Sequence, residues 1–328
     1  MEIVLNTFGT SLSRENDGFV VKNDGNKRRL PPDGVRSILV GKGVSITSDA
    51  IMLAVDNEIE IHFVDRAGNI KGLLWSHKYG SISTIRKSQL LFVQSSAAVK
   101  WIIGIIRRKI ENQQALLLMI DAKDDKGKRS IETAMTRLSR YIERLTQLSG
   151  ETVRDVAHEL RGIEGSAARQ YFGAMSDTLP LQYRFHERSQ HPARDVANAL
   201  LNYGYGVLYT RVEISLIKAG IDPYVGVLHR DEYNRPVLVF DMIEMYRVWV
   251  DYVVMQLLMQ EVVDDCYYSL TEDGACWLES LGRRVIIQSL NDYLDEVVNQ
   301  SDGERHSRVS QIQRDAYSLA NTIKTLTK

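Results

Sequence analysis

Cysteine is nearly missing from this chain: Cys266 and Cys276 are the only two among 328 residues. Their spacing matches neither a zinc site nor a Cys-x-x-Cys redox pair, which removes thiolate-metal and dithiol chemistry. Both are expected as reduced thiols of a cytoplasmic protein. Long apolar runs are missing as well. The most apolar stretch, residues 237–259, is interrupted by Asp241, Glu244, Arg247 and Asp251, and none reaches the roughly 18 apolar residues of a membrane span. The opening MEIVLNTFGT has no basic segment followed by an apolar core, so no secretory signal is expected. Internal repeats and low-complexity segments are absent, and net charge is only −1.

That near-neutral total conceals segregation. Residues 100–144 hold eleven basic and six acidic side chains, residues 261–304 two and eleven, and residues 305–328 five and one. Local field, not the total, recruits phosphate. The segregation therefore fits either a basic nucleic-acid face or ordinary solvated helices.

At this length two domains are expected. Through residue 85 short β-branched runs recur at Glu2–Leu5, residues 19–22, Ser37–Val40, residues 59–64 and Ile70–Leu74. Turn signals separate them: Asp17-Gly18, Asp24-Gly25, Pro31-Pro32-Asp33-Gly34 and Ala67-Gly68-Asn69. Residues 48–57 read as one short helix, and EIEIHFVDRAGNIKGLLW as a hairpin. From about residue 84 the period becomes helical. Residues 89–120 read as one long helix and DAKDDKGKR as a polar connector. Ile131, Met135, Leu138, Ile142, Leu145 and Leu148 form one helix face, closed by Gly150. Thr152 is placed to cap the next helix, and Asp195 starts another that stops at Gly220. Residues 238–261, 278–298 and 307–326 complete the helices. The fold class is α+β multidomain: a β-rich domain over residues 1–85, a linker and helix start over 86–98, and a larger all-α domain over 99–328.

Three features of the helical part carry chemical potential. Asp241 and Glu244 stand at i and i+3, so a helix would point them the same way, either as a functional pair or as first-turn acids favoured by the helix dipole. His229 stands alone before a polar turn that includes Arg230, Asp231 and Glu232. Glu164 sits between Gly162 and Gly165 in GIEGSAARQYF, at an expected break between helices. Each glycine costs about 1 kcal/mol against alanine in a helix, so either a constricted functional acid or a tight helix crossing is implied.

These motifs resemble the CRISPR-associated protein one family of DNA integrases and endonucleases. The resemblance spans nearly the whole chain and rests on EGSAARQYF with Glu164, ARDVANALLNYGYGVL with Asp195 and Asn198, GIDPYVGVLH with His229, and LVFDMIEMYR with Asp241 and Glu244. It implies a metal site made by Glu164, His229 and Glu244, with Asp241 as a further acid of that site. It implies insertion of short DNA fragments into CRISPR arrays by attack of a 3′-hydroxyl. It also implies action on double-stranded and branched DNA, a homodimer formed through the β-rich domain, and a small dimer of the CRISPR-associated protein two family as partner. The stretch RSQHPARD departs from the more basic, proline-rich pattern expected there, which bears on Arg188 and His191.

Two carboxylates and an imidazole suit Mg²⁺ or Mn²⁺ and disfavour structural zinc. Asp241 has three open roles: second-ion ligand, orienter of His229, or helix cap. Residues 100–144 are candidates for backbone contact with DNA, and Tyr171, Tyr203 and Tyr205 either stack on splayed bases or pack in the core. A di-iron bundle is excluded because no Glu precedes any of the seven histidines by three. A zinc peptidase is excluded because there is no His-Glu-x-x-His. A non-catalytic DNA-binding or assembly subunit is the remaining alternative.

Overall fold

The computed structural model describes residues 2–23, 25–35, 37–65, 70–74, 82–229, 235–299 and 303–326. The turns expected at Asp24, at Ala67-Gly68-Asn69 and at Arg230, Asp231 and Glu232 lie outside the described residues. The chain divides into two compact units, Met1–Ser81 and Ile82–Lys328.

In the first unit, strands β1 (Glu2–Leu5), β2 (Ser11–Glu15), β3 (Gly18–Asn23), β4 (Asn26–Leu30), β5 (Ser37–Val40) and β6 (Ser45–Ile46) precede helix α1 (Ser48–Asp56). Strands β7 (Glu60–Val64) and β8 (Ile70–Leu74) follow it. One sheet has the order β1-β5-β7-β8, parallel except for β8; the other has the order β4-β3-β2-β6. Thr47 caps α1 by accepting the Ala50 N–H, and Leu12, Phe19, Ile38 and Ile61 are fully buried between these elements. Strands β2, β4 and β6 escaped the sequence pattern because they carry few apolar residues. On β4 only Leu30 is buried, while Lys27 and Arg29 reach across to Glu15. β7 is covered on both faces, so Glu60 and His62 are buried along with Ile61, and that acid and imidazole pair at 3.2 Å.

The second unit is helical: α2 (Ile82–Phe92), α3 (Ser96–Met119), α4 (Asp125–Gln147), α5 (Val153–Thr178), α6 (Val196–Lys218), α7 (Val237–Met242), α8 (Arg247–Met259), α9 (Ser280–Asp295) and α10 (Arg308–Thr325). It is not purely helical. β9 (Tyr268–Leu270) pairs with β10 (Cys276–Leu278), and β11 (Val297–Asn299) with β12 (Arg305–Ser307), as two short antiparallel ladders.

The helix expected over 278–298 is shorter, α9 alone, because Leu278 pairs in β10 and Val298 in β11, and four other helix readings differ from expectation. The helix expected over 89–120 is two helices bent by 84°. Ser95 takes an extended conformation and starts α3, with its hydroxyl donating to the Phe92 carbonyl. The connector DAKDDKGKR is partly helix, because Asp124 accepts the Gly127 N–H and nucleates α4 within it. The break expected at Glu164 does not occur: α5 runs through Gly162 and Gly165, and a methyl group added at either meets nothing within 4 Å. Those glycines therefore serve neither a break nor a tight crossing. The helix expected over 238–261 is interrupted at residues 243–245 by a 3-10 turn between α7 and α8. Elsewhere, Thr152 forms a capping box with Asp155, and Asp195 caps α6 by accepting the Asn198 N–H. Among the described residues no single helix is long and apolar enough to cross a membrane.

Candidate metal centre and active site

Glu164 and Glu244 come from different elements and meet on one cation. Glu164 lies midway along α5, and its Oε1 accepts a hydrogen bond from Lys109 Nζ of α3 at 2.7 Å. Glu244 lies in the 3-10 turn, which Asn112 ties to α3 by donating to the Met245 carbonyl. Its Oε2 is 2.5 Å from the same Lys109 Nζ, an ion pair off the axis of a hydrogen bond. Its Oε1 accepts from Arg247 Nε at 2.7 Å. Arg247 in turn donates to the Tyr209 hydroxyl and lies over the Tyr205 ring, 4.7 Å from its centroid. Glu244 and Lys109 are strongly buried and Arg247 is partly buried.

Burial opposes every one of these charges, and pairing overcomes it. Against burial, Arg247 and Lys109 hold the Glu244 carboxyl down at about 2. Burial pulls the Lys109 ammonium down, but Glu244 and Glu164 outweigh it and hold its pKa above the ordinary lysine value. The cluster is thus two anions compensated by two cations within a low-dielectric wall.

His229 is set by a separate frame. Asp241, buried at 1% exposure, accepts the backbone N–H groups of Val227, Leu228 and His229 and also contacts His229 Nδ1 at 2.7 Å. The loop carrying the histidine is further held by Arg161, which donates to the Leu228 carbonyl, and by Gln89, whose amide bridges the backbone of Asp222. Gly226 is required at the turn, since a Cβ there would lie 2.7 Å from the His229 carbonyl oxygen. With Nδ1 donating to Asp241, the lone pair is left on Nε2, the arrangement in which a carboxylate orients a ligating imidazole. Burial lowers the His229 pKa, but the Asp241 hydrogen bond and the nearby Asp241, Glu244 and Glu164 charges outweigh it and leave the pKa above the ordinary imidazole value.

Asp241 and Glu244 therefore do not act as a pair. The expected common helix face is divided: Asp241 spends both oxygens on the His229 loop, and Glu244 faces Lys109 and Arg247. Of the three roles open to Asp241, the geometry matches the orienter of His229. Among the described residues no three His, Cys, Asp or Glu side chains stand ready to grip one ion; Lys109 takes the position between the two glutamates. The donor set itself, two carboxylates and an imidazole Nε2, fits Mg²⁺ or Mn²⁺, and a cation is already stabilised between the carboxylates.

A cavity of about 580 Å³ opens beside the cluster, lined by Lys109, Glu164, Arg169, Arg188, Glu244 and Arg247 among others. Arg188 is locked by Asn198 and Asn202 of α6 and lies over the Phe172 ring. His191, from the same departing stretch, is exposed. A second trough of about 430 Å³ between α4 and α5, lined by Lys126, Arg129 and Asp177, shares Arg169 and Gly173 with the first. The basic stretch of residues 100–144 is not one free face. Lys109 turns inward, and Arg107, Lys126 and Arg144 pair with Glu111, Asp177 and Glu159.

Tyr171 and Tyr205 are buried, and both hydroxyls donate to Asp251, so they pack the core and do not stack on bases. Burial lifts Asp251 to about 6 despite those hydrogen bonds. Tyr203 is half-buried against the same core. Lys109, Arg247, Gln89 and Arg161 carry the site and were missed from sequence. Only the tight LVFDMIEMYR spacing of Arg247 to Glu244 offered a signal.

Residues 3–292 match the family model described as CRISPR associated protein Cas1. A CRISPR-associated endonuclease Cas1 of Archaeoglobus fulgidus is 33% identical over 309 residues, 90% of this chain and 88% of its own length. One from Francisella tularensis subsp. novicida is 29% identical over 79% of each chain. Among solved structures, a chain of a Cas6-RT-Cas1–Cas2 complex superposes with a TM-score of 0.77 at 21% identity, covering 99% of this chain and 35% of that one. A casposase bound to integration product gives 0.74 at 19% identity, covering 99% and 90%. A Cas1 protein from Thermotoga maritima gives 0.74 at 21% identity, covering 98% and 96%. With a family model matched over most of its length and a third of its residues shared with a Cas1 endonuclease, the chain belongs to the CRISPR-associated protein Cas1 family.

Proposed function

We propose that this protein is a metal-dependent DNA endonuclease and integrase that inserts short DNA fragments into CRISPR arrays. The observation that carries this reading is the convergence of Glu164 and Glu244, from α5 and the α7–α8 turn, on one buried cation at the wall of an arginine-lined cavity. In the reaction, the 3′-oxygen of the incoming strand bonds to a repeat-boundary phosphorus, and the 3′-oxygen of the cut repeat strand leaves with a proton. A divalent ion held by Glu164, Glu244 and His229 Nε2 would polarise the phosphodiester and acidify the attacking hydroxyl. Asp241 keeps the imidazole turned for that role. Arg169, Arg188 and Arg247 supply fixed positive charge for phosphate oxygens, in a cavity where such charge is worth more than in water.

Strand joining of a duplex with free 3′-hydroxyls into repeat DNA should require added Mn²⁺ or Mg²⁺ and stop on chelation. Undiminished joining with chelator overturns the reading. Retained duplex binding without joining under any ion favours the non-catalytic alternative. At limiting Mn²⁺, joining should rise with pH through a midpoint above the ordinary imidazole value, because the imidazole must lose its proton to ligate. The stability linkage has the opposite sign. The raised His229 pKa stabilises the metal-free fold below the ordinary imidazole value, and that contribution is lost as pH rises through the raised one.

The α4–α5 trough continues from the cavity by way of Arg169, which makes it a path for the DNA backbone. Exchanging Arg129 and Arg169 together for glutamine should weaken duplex binding without changing sequence preference. It should also flatten the dependence of log K on log salt by about 0.9 for each phosphate that is no longer neutralised. An unchanged slope places the backbone elsewhere. Two partners belong to the same reading: a second copy joined through the β-rich residues 1–85, and a Cas2-type dimer. Solved relatives named as Cas1–Cas2 and Cas1–DNA complexes support the protein and DNA partners.

A further inference from the structure

The metal reading assigns Glu164, Glu244 and His229, but it leaves unexplained the lysine between the two glutamates. Lys109 is not a surface cation that has folded back. Its side chain is only 9% exposed, and it projects from the buried face of α3, with Ile105, Ile106 and Ile110 as buried neighbours along the helix. Its ammonium touches one oxygen of each carboxylate, at 2.7 and 2.5 Å. The other Glu244 oxygen is already taken by Arg247. With Arg247 on Oε1, the Glu244 oxygen left for a divalent ion is the one that Lys109 holds, and ammonium and ion cannot share the space between the two carboxylates.

We infer that Lys109 is the resident counter-cation of the metal-free site: it holds Glu164 and Glu244 together and must swing aside, into the adjoining cavity, when the divalent ion binds. The inference rests on the metal-site reading. The cavity offers somewhere to go, because Lys109 itself lines it along with Gln113, one turn further along α3. In that position the ammonium faces the arginines that would hold the DNA phosphates, so its positive charge is kept near the substrate. The device has two consequences. The two glutamates stay ordered without metal, since neither is left as an uncompensated buried charge. The site also resists adventitious cations, because each must first break a charge-assisted contact to both acids.

Two measurements test it, neither of which reads strand joining. The first is Mn²⁺ binding by calorimetry, alongside thermal melting, for the wild-type chain, Lys109→Met and Lys109→Arg. Lys109→Met keeps the apolar stem and removes the charge. It should melt lower without metal yet bind Mn²⁺ about tenfold or more tightly, since no ammonium has to be displaced. Lys109→Arg should stay near the wild-type affinity. Equal or weaker Mn²⁺ binding by Lys109→Met overturns the inference and leaves the lysine as a structural brace. The second measurement covers the case in which Lys109→Met does not fold. Acylation of individual lysines in the wild-type protein is followed by mass spectrometry with and without saturating Mn²⁺. Labelling of Lys109 should rise several-fold with metal, whereas unchanged labelling overturns the inference. Glu164→Gln and Glu244→Gln controls separate the two levels. If neither changes Mn²⁺ affinity, the metal site lies elsewhere and the lysine proposal falls with it. If both weaken binding while Lys109→Met leaves it unchanged, only the lysine proposal falls.

Discussion

Glutamine at position 244 or 164 should lower strand joining by about a hundred- to a thousandfold, the scale on which single charge-stabilising groups act in such reactions, while the two variants differ sharply in stability. Glu244 is 4% exposed and compensates both Lys109 and Arg247. Glu244→Gln leaves Lys109 with Glu164 alone and takes the paired carboxylate from Arg247. Breaking a buried pair from one side costs about 3–5 kcal/mol. Glu164 has a side chain 21% exposed and, among the described residues, Lys109 alone as ionic partner, so Glu164→Gln should cost about 1 kcal/mol. Denaturant melts and joining assays on the two variants side by side check this: equal loss of joining, unequal loss of stability. Joining within tenfold of wild type in either variant removes that residue from the site.

The second large effect is expected at Asp241. Its buried carboxylate takes three backbone N–H groups and the half-buried imidazole. Asparagine can offer one carbonyl oxygen and must turn an NH₂ group towards donors. Hydrogen bonds to a charged group contribute about 1.5–3 kcal/mol each, so Asp241→Asn should cost about 3 kcal/mol or more in stability and also disorder His229. His229→Ala is the informative comparison. It leaves the Asp241 bonds to Val227 and Leu228 intact, so the fold should hold while joining falls as far as in Glu164→Gln. If Asp241→Asn instead melts like wild type, the carboxylate is not the clamp of the loop, and its role returns to the metal.

The site residues were legible to unequal degrees. Glu164, His229 and Glu244 stood out as residue types within recognisable motifs, but their environments did not. Gly162 and Gly165 suggested a broken helix because glycine lowers helix propensity. α5 nevertheless continues, because Val156, Leu160, Ile163 and Ala167 bury one continuous face and that burial outweighs two weak positions. Tyr171 and Tyr205 looked available for bases, yet Asp251 lies beneath them and takes both hydroxyls. No local pattern places an acid of α8 under tyrosines of α5 and α6. Polar strands β2 and β4 were invisible for the related reason that their partners, not their own side chains, make them strands.

What the amino-acid order determined alone was the change of period near residue 84, the caps at Thr152 and Asp195, and the motif set that marks the family. These depend on neighbours within a few residues, where capping and periodicity act. What only the tertiary structure decided was the division of labour between Asp241 and Glu244 and the lysine held between two acids. A buried charge takes its partner from whatever packing brings within about 3 Å, and Lys109 and Glu164, 55 residues apart, meet only because α3 and α5 pack together.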